Sequence, residues 1–440
     1  MAATPRRGVA RLVAHTLVTI CLGIGAQVAT GIVTARVFGP AGKGVISYAA
    51  VLANFAVAAA EGLRNGIVFE AGTQDNPLGR VWRTALPLVA LFAPAGALVF
   101  FLLWRSQPTQ IAFLFVALVF PFALFLQAIT GVYVVRHEIE RLNVQNAWTV
   151  GAGSSLMMLV AVAFFHATLV VALCIWLAGF VAAAAWAAVG ARSLLAGDRQ
   201  PDGPSSARRQ LAFGLKGALS ACVTLLAVRV DMLLVGALLA PSALGIYAIA
   251  VALGELPWVV SRAVTWSTTA RIGTEDFASA AALTAKVVRF LLTFQVVAAL
   301  AIVASASFLV PLVYGARFAG VTPLVYVLVP RMIGYGADGV LSYFIAVRAG
   351  HPGTLLTFEI GTFVLCAALA AAGIHRFGLF GAALGTTVAF IIAVAAKLTY
   401  FCRLTHLGPA DILRVRRGDV PDSISAKLPR FVRAVIEPVG

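Results

Sequence analysis

Residues 213–239 and 243–268 are two apolar runs, each long enough to cross a bilayer, with only a few residues between them. The joint, LAPSALGIYA, is the one turn signal in this stretch, so the pair reads as a membrane hairpin. The hairpin nevertheless contains Arg229, Asp231, Glu255 and Arg262. A charge within hydrocarbon costs at least ~2.5–3.5 kcal/mol, so each of these must meet a partner or water. Composition extends the constraint to the whole chain. It is 61% hydrophobic and 11% charged, with a mean hydropathy of +0.96, whereas a soluble domain carries about 25% charged residues. Lipid has to be the solvent. Alternating ten-residue strands are absent, which points to helices and not a barrel.

The 440 residues supply about twelve such spans: 12–37, 45–69, 83–104, 111–135, 145–165, 168–191, 213–239, 243–268, 288–314, 323–347, 354–375 and 378–402. The expected fold is all-α and polytopic, with two six-helix lobes related by a parallel repeat. The repeat rests on RVFGPAGKGVISYAA (36–50) and ALLAPSALGIYAIAV (237–251), in which Pro40 falls on Pro241 and Gly44 on Gly245. Pro121 and Pro330 form a looser echo. Each half holds an even number of spans, so both start on the same side, and the relating axis runs along the membrane normal. The expected boundaries are an N-lobe over 1–196, a linker over 197–212 rich in Pro, Gly, Ser and charge, a C-lobe over 213–402 and a basic tail over 403–440. The first span, preceded by Arg6, Arg7 and Arg11, is too long for a signal-peptide core and reads as uncleaved.

The net charge of +16 is explained by topology. With the N-terminus cytoplasmic, twenty-two Lys and Arg fall in inside segments and four, Lys43, Arg105, Arg317 and Arg376, in outside ones. Both termini are therefore expected inside. No basic patch is interleaved with exposed aromatics, so nucleic acid is not an expected partner. Membrane lipid is. The segment 428–438 has the pattern of a short surface helix. Cys21, Cys174, Cys222, Cys366 and Cys402 are scattered through apolar stretches and read as small core residues, with neither disulfide nor metal spacing. No cofactor is implied. The outside loops are too short and acid-poor for the general acid–base work of a membrane transferase.

The intramembrane charges are the candidate site. Glu61 and Arg64 are i,i+3 neighbours, and Glu255 with Arg262, like Arg331 with Asp338, lie two turns apart on one helix face. Such pairs either balance one another or face a wet cleft. Arg229 and Asp231 are different. A two-residue separation sets them ~200° apart, so each needs a partner elsewhere. Arg predominates, and its planar fork suits phosphate or carboxylate oxygens. Pro257, between Glu255 and Arg262, frees a backbone carbonyl. Gln27, Asn54 and Asn65 are neutral polar candidates for the cleft wall or for interhelical hydrogen bonds. Gly23, Gly25, Gly31, Gly381 and Gly385 are expected to let helices approach closely, and Lys397 to snorkel from an inner helix end.

TARVFGPAGKGVISYAA, VDMLLVGALLAPSALGIYAIA and the late FGLFGAALGTTVAF resemble the polysaccharide transporters of the multidrug/oligosaccharidyl-lipid/polysaccharide exporter superfamily. These are the O-antigen and exopolysaccharide repeat-unit flippases. The resemblance covers nearly the whole chain in layout and implies a cleft lined by helices 1, 2, 7 and 8. On this sequence those helices carry Arg36, Glu61, Arg64, Arg229, Asp231, Glu255 and Arg262. It implies alternating-access movement of undecaprenyl-pyrophosphate-linked oligosaccharide across the bacterial cytoplasmic membrane, alongside a polysaccharide polymerase and glycosyltransferases. Two departures stand out. The extra helix pair usual in lipid II flippases is missing, and span 12–37 lacks the carboxylate that multidrug members use for cation coupling. The alternative is a cation-coupled exporter of small amphiphiles, with Asp231 or Glu255 as its titrating acid.

Overall fold

Gly39 and Gly378 reverse the two longest helical runs of the chain, and their backbone conformations explain why glycine stands there. Both have positive φ, 65° and 57°, outside the helical region. In the computed structural model of the protein each divides one continuous run into two membrane helices. The structure describes residues 6–408 and 412, apart from 75, 108–109, 150–151, 166 and 197–206, with side chains from residue 22 onward.

The helices follow in order. α1 (6–38) and α2 (40–72) are joined at Gly39. Then come α3 (Leu78–Ser106), α4 (Ile111–Val135), α5 (Ile139–Thr149 and Ala152–Phe165), α6 (Leu169–Ala196) and α7 (Ala207–Leu238). α8 has two arms, Pro241–Glu255 and Trp258–Thr274, bent by 44° where Pro257 interrupts the hydrogen-bond ladder. α9 (Phe277–Tyr314), α10 (Val321–Tyr343), α11 (352–377) and α12 (379–405) complete the set. Among the described residues these are twelve membrane helices and no strand. The fold is an all-α, multi-pass membrane fold, as the hydropathy predicts.

Several helices outrun their apolar segments. α9 starts eleven residues before the expected span at 288, because the run 277–287 keeps buried Ala280, Ala281, Thr284 and Ala285 on one face. Asp276 caps it, accepting from the Ser279 amide at 3.0 Å. α7 begins at Ala207, inside the stretch expected as linker. The tail segment 428–438 lies outside the described residues.

The chain forms two compact units, residues 1–226 with 240–245, and residues 227–239 with 246–440. In the first, Ile67, Leu78, Val81, Ala85, Ala128 and Val132 make a core between α2, α3 and α4. In the second, Ile272, Val288, Leu291, Leu341, Phe344 and Phe401 pack α8, α9, α10 and α12 together. Both interiors are rich in alanine, while Phe164, Phe165, Val189, Phe308 and Phe377 are more than two thirds exposed. Small residues inside and large apolar ones outside are what packing in lipid selects. Gly381 packs against Gly373, and Gly385 against the backbone of Leu369 and Ala370, as expected of close helix crossings. Gly25 does not: a Cβ there would meet nothing within 4 Å. Cys366 is buried, but Cys174 is exposed and forms no part of a core.

Candidate functional site

In the interior of the second unit opposite charges meet across helices. Arg229 of α7 donates both terminal nitrogens to the two carboxylate oxygens of Glu255 on α8, each at 2.7 Å. Arg331 of α10 reaches Asp231 of α7 at 2.7 Å and the Val228 carbonyl at 3.2 Å. Asp231 also accepts from the Tyr247 hydroxyl at 2.9 Å and from the Met232 amide at 2.8 Å. The expected separation of Arg229 from Asp231 thus holds, because their helix faces send them to different partners. The intrahelical balances of Glu255 with Arg262 and of Arg331 with Asp338 do not form. Pairing across helices takes both instead: Glu255 receives the two-pronged bond of Arg229, and Arg331 a single bond to Asp231. Glu61 and Arg64, one turn apart on α2, do pair, at 3.0 Å, and Arg64 also reaches Asn65 at 3.4 Å. Arg36 lies exposed near the end of α1 and Asn54 is exposed on α2.

Lys397 corrects a further expectation. It does not snorkel; it is buried on α12, with its ammonium 2.7 Å from Asp338 of α10 and 2.7 Å from Glu359 of α11. The two carboxylates outweigh the free energy of reaching headgroup level. Lys43 is not a loop residue either. It lies on the first turns of α2, and its ammonium lies near Gly31 of α1, whose Cβ would stand 3.6 Å away. It has no ion-pair partner among the described residues.

Arg262 stands apart from the other arginines. Its guanidinium lies 4.8 Å from the Trp258 ring centre and 4.7 Å from that of Trp266. No carboxylate reaches it among the described residues. Residues 258, 262 and 266 fall at i, i+4 and i+8, so the second arm of α8 stacks them on one face. That face is exposed at Arg262, and Trp266 is 59% exposed. The adjoining face, with Ser261, Thr265 and Ile272, is buried, and Gln295 of α9 donates to Ser261 at 2.8 Å. Aromatic contact continues inward. Trp258 lies 5.1 Å from Tyr335, Tyr335 lies 5.6 Å from Phe390, and Arg331 sits 4.6 Å over Phe390. A shallow recess with room for little more than a water adjoins this chain, lined by Val251, Glu255, Leu328, Arg331, Met332 and Tyr335.

Sequence reasoning missed Trp258, Trp266, Tyr335 and Glu359. The spacing WVVSRAVTW carried a readable signal for the two tryptophans. Nothing local marked Glu359, whose partner is 38 residues away. Among the described residues no group of His, Cys, Asp and Glu is arranged to hold a metal.

Comparison with known proteins gives a family and a fold. The sequence profile of the family described as "Polysaccharide biosynthesis protein" matches residues 33–323. The lipid II flippase MurJ in an inward closed conformation is similar in structure, with a TM-score of 0.69 at 12% identity over 90% of each chain. An inward-facing multidrug resistance MATE transporter of the MOP superfamily gives 0.65 at 15% identity, over 87% of this chain and 95% of the other. The Vibrio cholerae MATE transporter VcmN gives 0.59 at 15%, over 91% and 97%. None of the curated protein sequences matches significantly. The chain belongs to the polysaccharide biosynthesis protein family and has the fold shared by these transporters.

Proposed function

We propose that this member of the polysaccharide biosynthesis family is a flippase that moves undecaprenyl-pyrophosphate-linked oligosaccharide across the bacterial cytoplasmic membrane by alternating access. The observation that carries the reading is the state of Arg262. Arg64 and Arg229 are already neutralised by Glu61 and Glu255. The Arg262 fork is held in place by two indoles and keeps its N–H donors for a ligand. It lies inside the expected span 243–268, twelve residues from the end of its helix arm. A guanidinium kept ready within a span suits a phosphate, and the flanking indole faces suit the apolar faces of sugar rings. Lys43 offers a second unpaired cation in the other compact unit. The family's role in polysaccharide biosynthesis and the fold shared with a lipid II flippase support a lipid-linked substrate. The orientation expected from the loop charges, with both termini cytoplasmic, would start the headgroup on the side where such substrates are assembled by glycosyltransferases and release it toward a polymerase.

The drug-exporter alternative relied on Asp231 or Glu255 as a titrating acid. Each is engaged by an arginine at 2.7 Å, so neither stands as the free acid that reading needs.

The test is export in a host deleted for this protein and complemented with variants. Arg262→Ala should insert normally yet accumulate lipid-linked repeat units on the cytoplasmic face. Charge-assisted hydrogen bonds of ~1.5–3 kcal/mol correspond to about a 10- to 100-fold loss of transport. Undiminished export by Arg262→Ala, or efflux of cationic drugs without any polysaccharide phenotype, would overturn the assignment.

A further inference from the structure

One group of inward charges in the second unit is not a one-to-one pair. Asp231 with Arg331, and Glu255 with Arg229, are one-to-one pairs. The third group holds two carboxylates and one ammonium. Lys397 of α12 donates to Asp338 of α10 at 2.7 Å, to Glu359 of α11 at 2.7 Å and to the Ser342 hydroxyl of α10 at 3.2 Å. The lysine side chain is 2% exposed, the aspartate 21% and the glutamate 15%. Fully ionised, the group carries one uncompensated negative charge inside the membrane. The three side chains come from three helices at a common level. Asp338 is ten residues from Arg348, Glu359 seven from Pro352 and Lys397 eight from Thr405, or about 10–15 Å from that end of the bundle.

We infer that Asp338, Glu359 and Lys397 form a proton-binding site, separate from the arginine and tryptophan face of α8, that takes up and releases one proton as the transporter cycles. A proton from water adds to one carboxylate and makes a neutral acid, while Lys397 keeps its charge and pairs with the other carboxylate. Deprotonation returns the proton to water and restores the excess charge. Two carboxylates sharing one site in this way resist ionising together. A sodium ion fits poorly, because the ammonium already occupies the point between the oxygens. The charges felt by Glu359 are those of Lys397 and Asp338. The field of Asp338 reaches Tyr335 one turn away on α10. Arg289, on α9 packed against α10, is a buried cation of this unit. Toward the helix ends, the Tyr400 hydroxyl lies 2.8 Å from His351 Nδ1, and the Tyr400 ring packs on Phe358, next to Glu359.

The experiment needs no transported substrate, so its failure is distinct from failure of the flippase assignment. Infrared difference spectra of the full chain reconstituted in phospholipid vesicles are recorded against pH, in H2O and in D2O. We expect a carboxylic acid C=O band worth one carboxyl per chain that grows as pH falls. It should be lost in Glu359→Gln and equally in Asp338→Asn, since either leaves a balanced pair. Exposed acids titrate in every variant and cancel in the difference. Glu359→Asp keeps the charge and should keep the band. The inference is overturned if wild type lacks the band, if Glu359→Gln or Asp338→Asn retains it, or if sodium at fixed pH removes it.

Discussion

Gly44 and Gly245 face one another reciprocally: a Cβ on Gly44 would strike the Pro241 carbonyl, and a Cβ on Gly245 would strike the Pro40 carbonyl. The four residues are the two Pro–Gly pairs that the internal repeat aligns. Each proline starts a helix and each glycine sits one turn in, where the two helix starts cross. No side chain fits, because the obstacle is backbone. Gly44→Ala and Gly245→Ala should each destabilise by about 1–3 kcal/mol, as expected of overpacking that forces backbone to shift. Gly25→Ala, in open space, should instead be neutral or gain up to about 1 kcal/mol from helix propensity. Thermal unfolding in detergent compares the three. Equal effects at Gly25 and Gly44 would refute the close crossing.

The Arg331 to Asp231 pair is 5% and 2% exposed at its side chains. Removing one partner leaves a buried charge alone. Arg331→Met or Asp231→Leu alone should cost about 3–5 kcal/mol, and the double variant should recover much of that loss. A thermodynamic cycle from denaturant unfolding measures the coupling. Additive losses would show that the two groups act independently.

Trp266 holds one side of the Arg262 guanidinium. Replacing its ring by another ring should matter little, while removing the ring should matter more. Trp266→Phe should retain most export, and Trp266→Ala should lose about 2- to 30-fold, matching a cation–π contact of ~0.5–2 kcal/mol. Export by the complemented deletion strain is the readout, with membrane abundance as control.

Lys43 is a cation of the first unit with no ion-pair partner among the described residues, its ammonium beside Gly31. Lys43→Met should preserve insertion and thermal stability while reducing export, and Lys43→Arg should restore it. A Lys43→Met protein that exports normally would remove this residue from the headgroup path.

A buried carboxylate ties α2 to the start of α7 within the first unit. Glu70, fully buried, accepts from Arg209 at 3.2 Å and from Asn76 at 2.8 Å. Glycines again allow the approach, since a Cβ on Gly62 would stand 2.6 Å from the Gly214 carbonyl and one on Gly66 2.6 Å from that of Gln210. Glu70→Gln and Arg209→Ala should therefore be non-additive in unfolding, with a coupling of at least about 0.5 kcal/mol. Strict additivity would sink the contact.

The helix count, the hairpins and the cost of the buried charges could be read from residue order alone. Hydropathy over ~20 residues reports a local transfer free energy, and local sequence is all that it needs. The repeat was legible for the same reason, since Pro40, Gly44, Pro241 and Gly245 recur at a fixed offset. That Arg229 could not satisfy Asp231 followed from helix geometry. Which charge meets which was decided by the tertiary structure. Arg331 lies 100 residues from Asp231, and Lys397 lies 38 and 59 residues from its two acids. Helical periodicity cannot see across such distances. In a medium that solvates no ion, the pairing is settled only when packed helices bring oxygens and nitrogens within hydrogen-bond reach, and the same packing leaves Arg262 with indoles instead of a carboxylate.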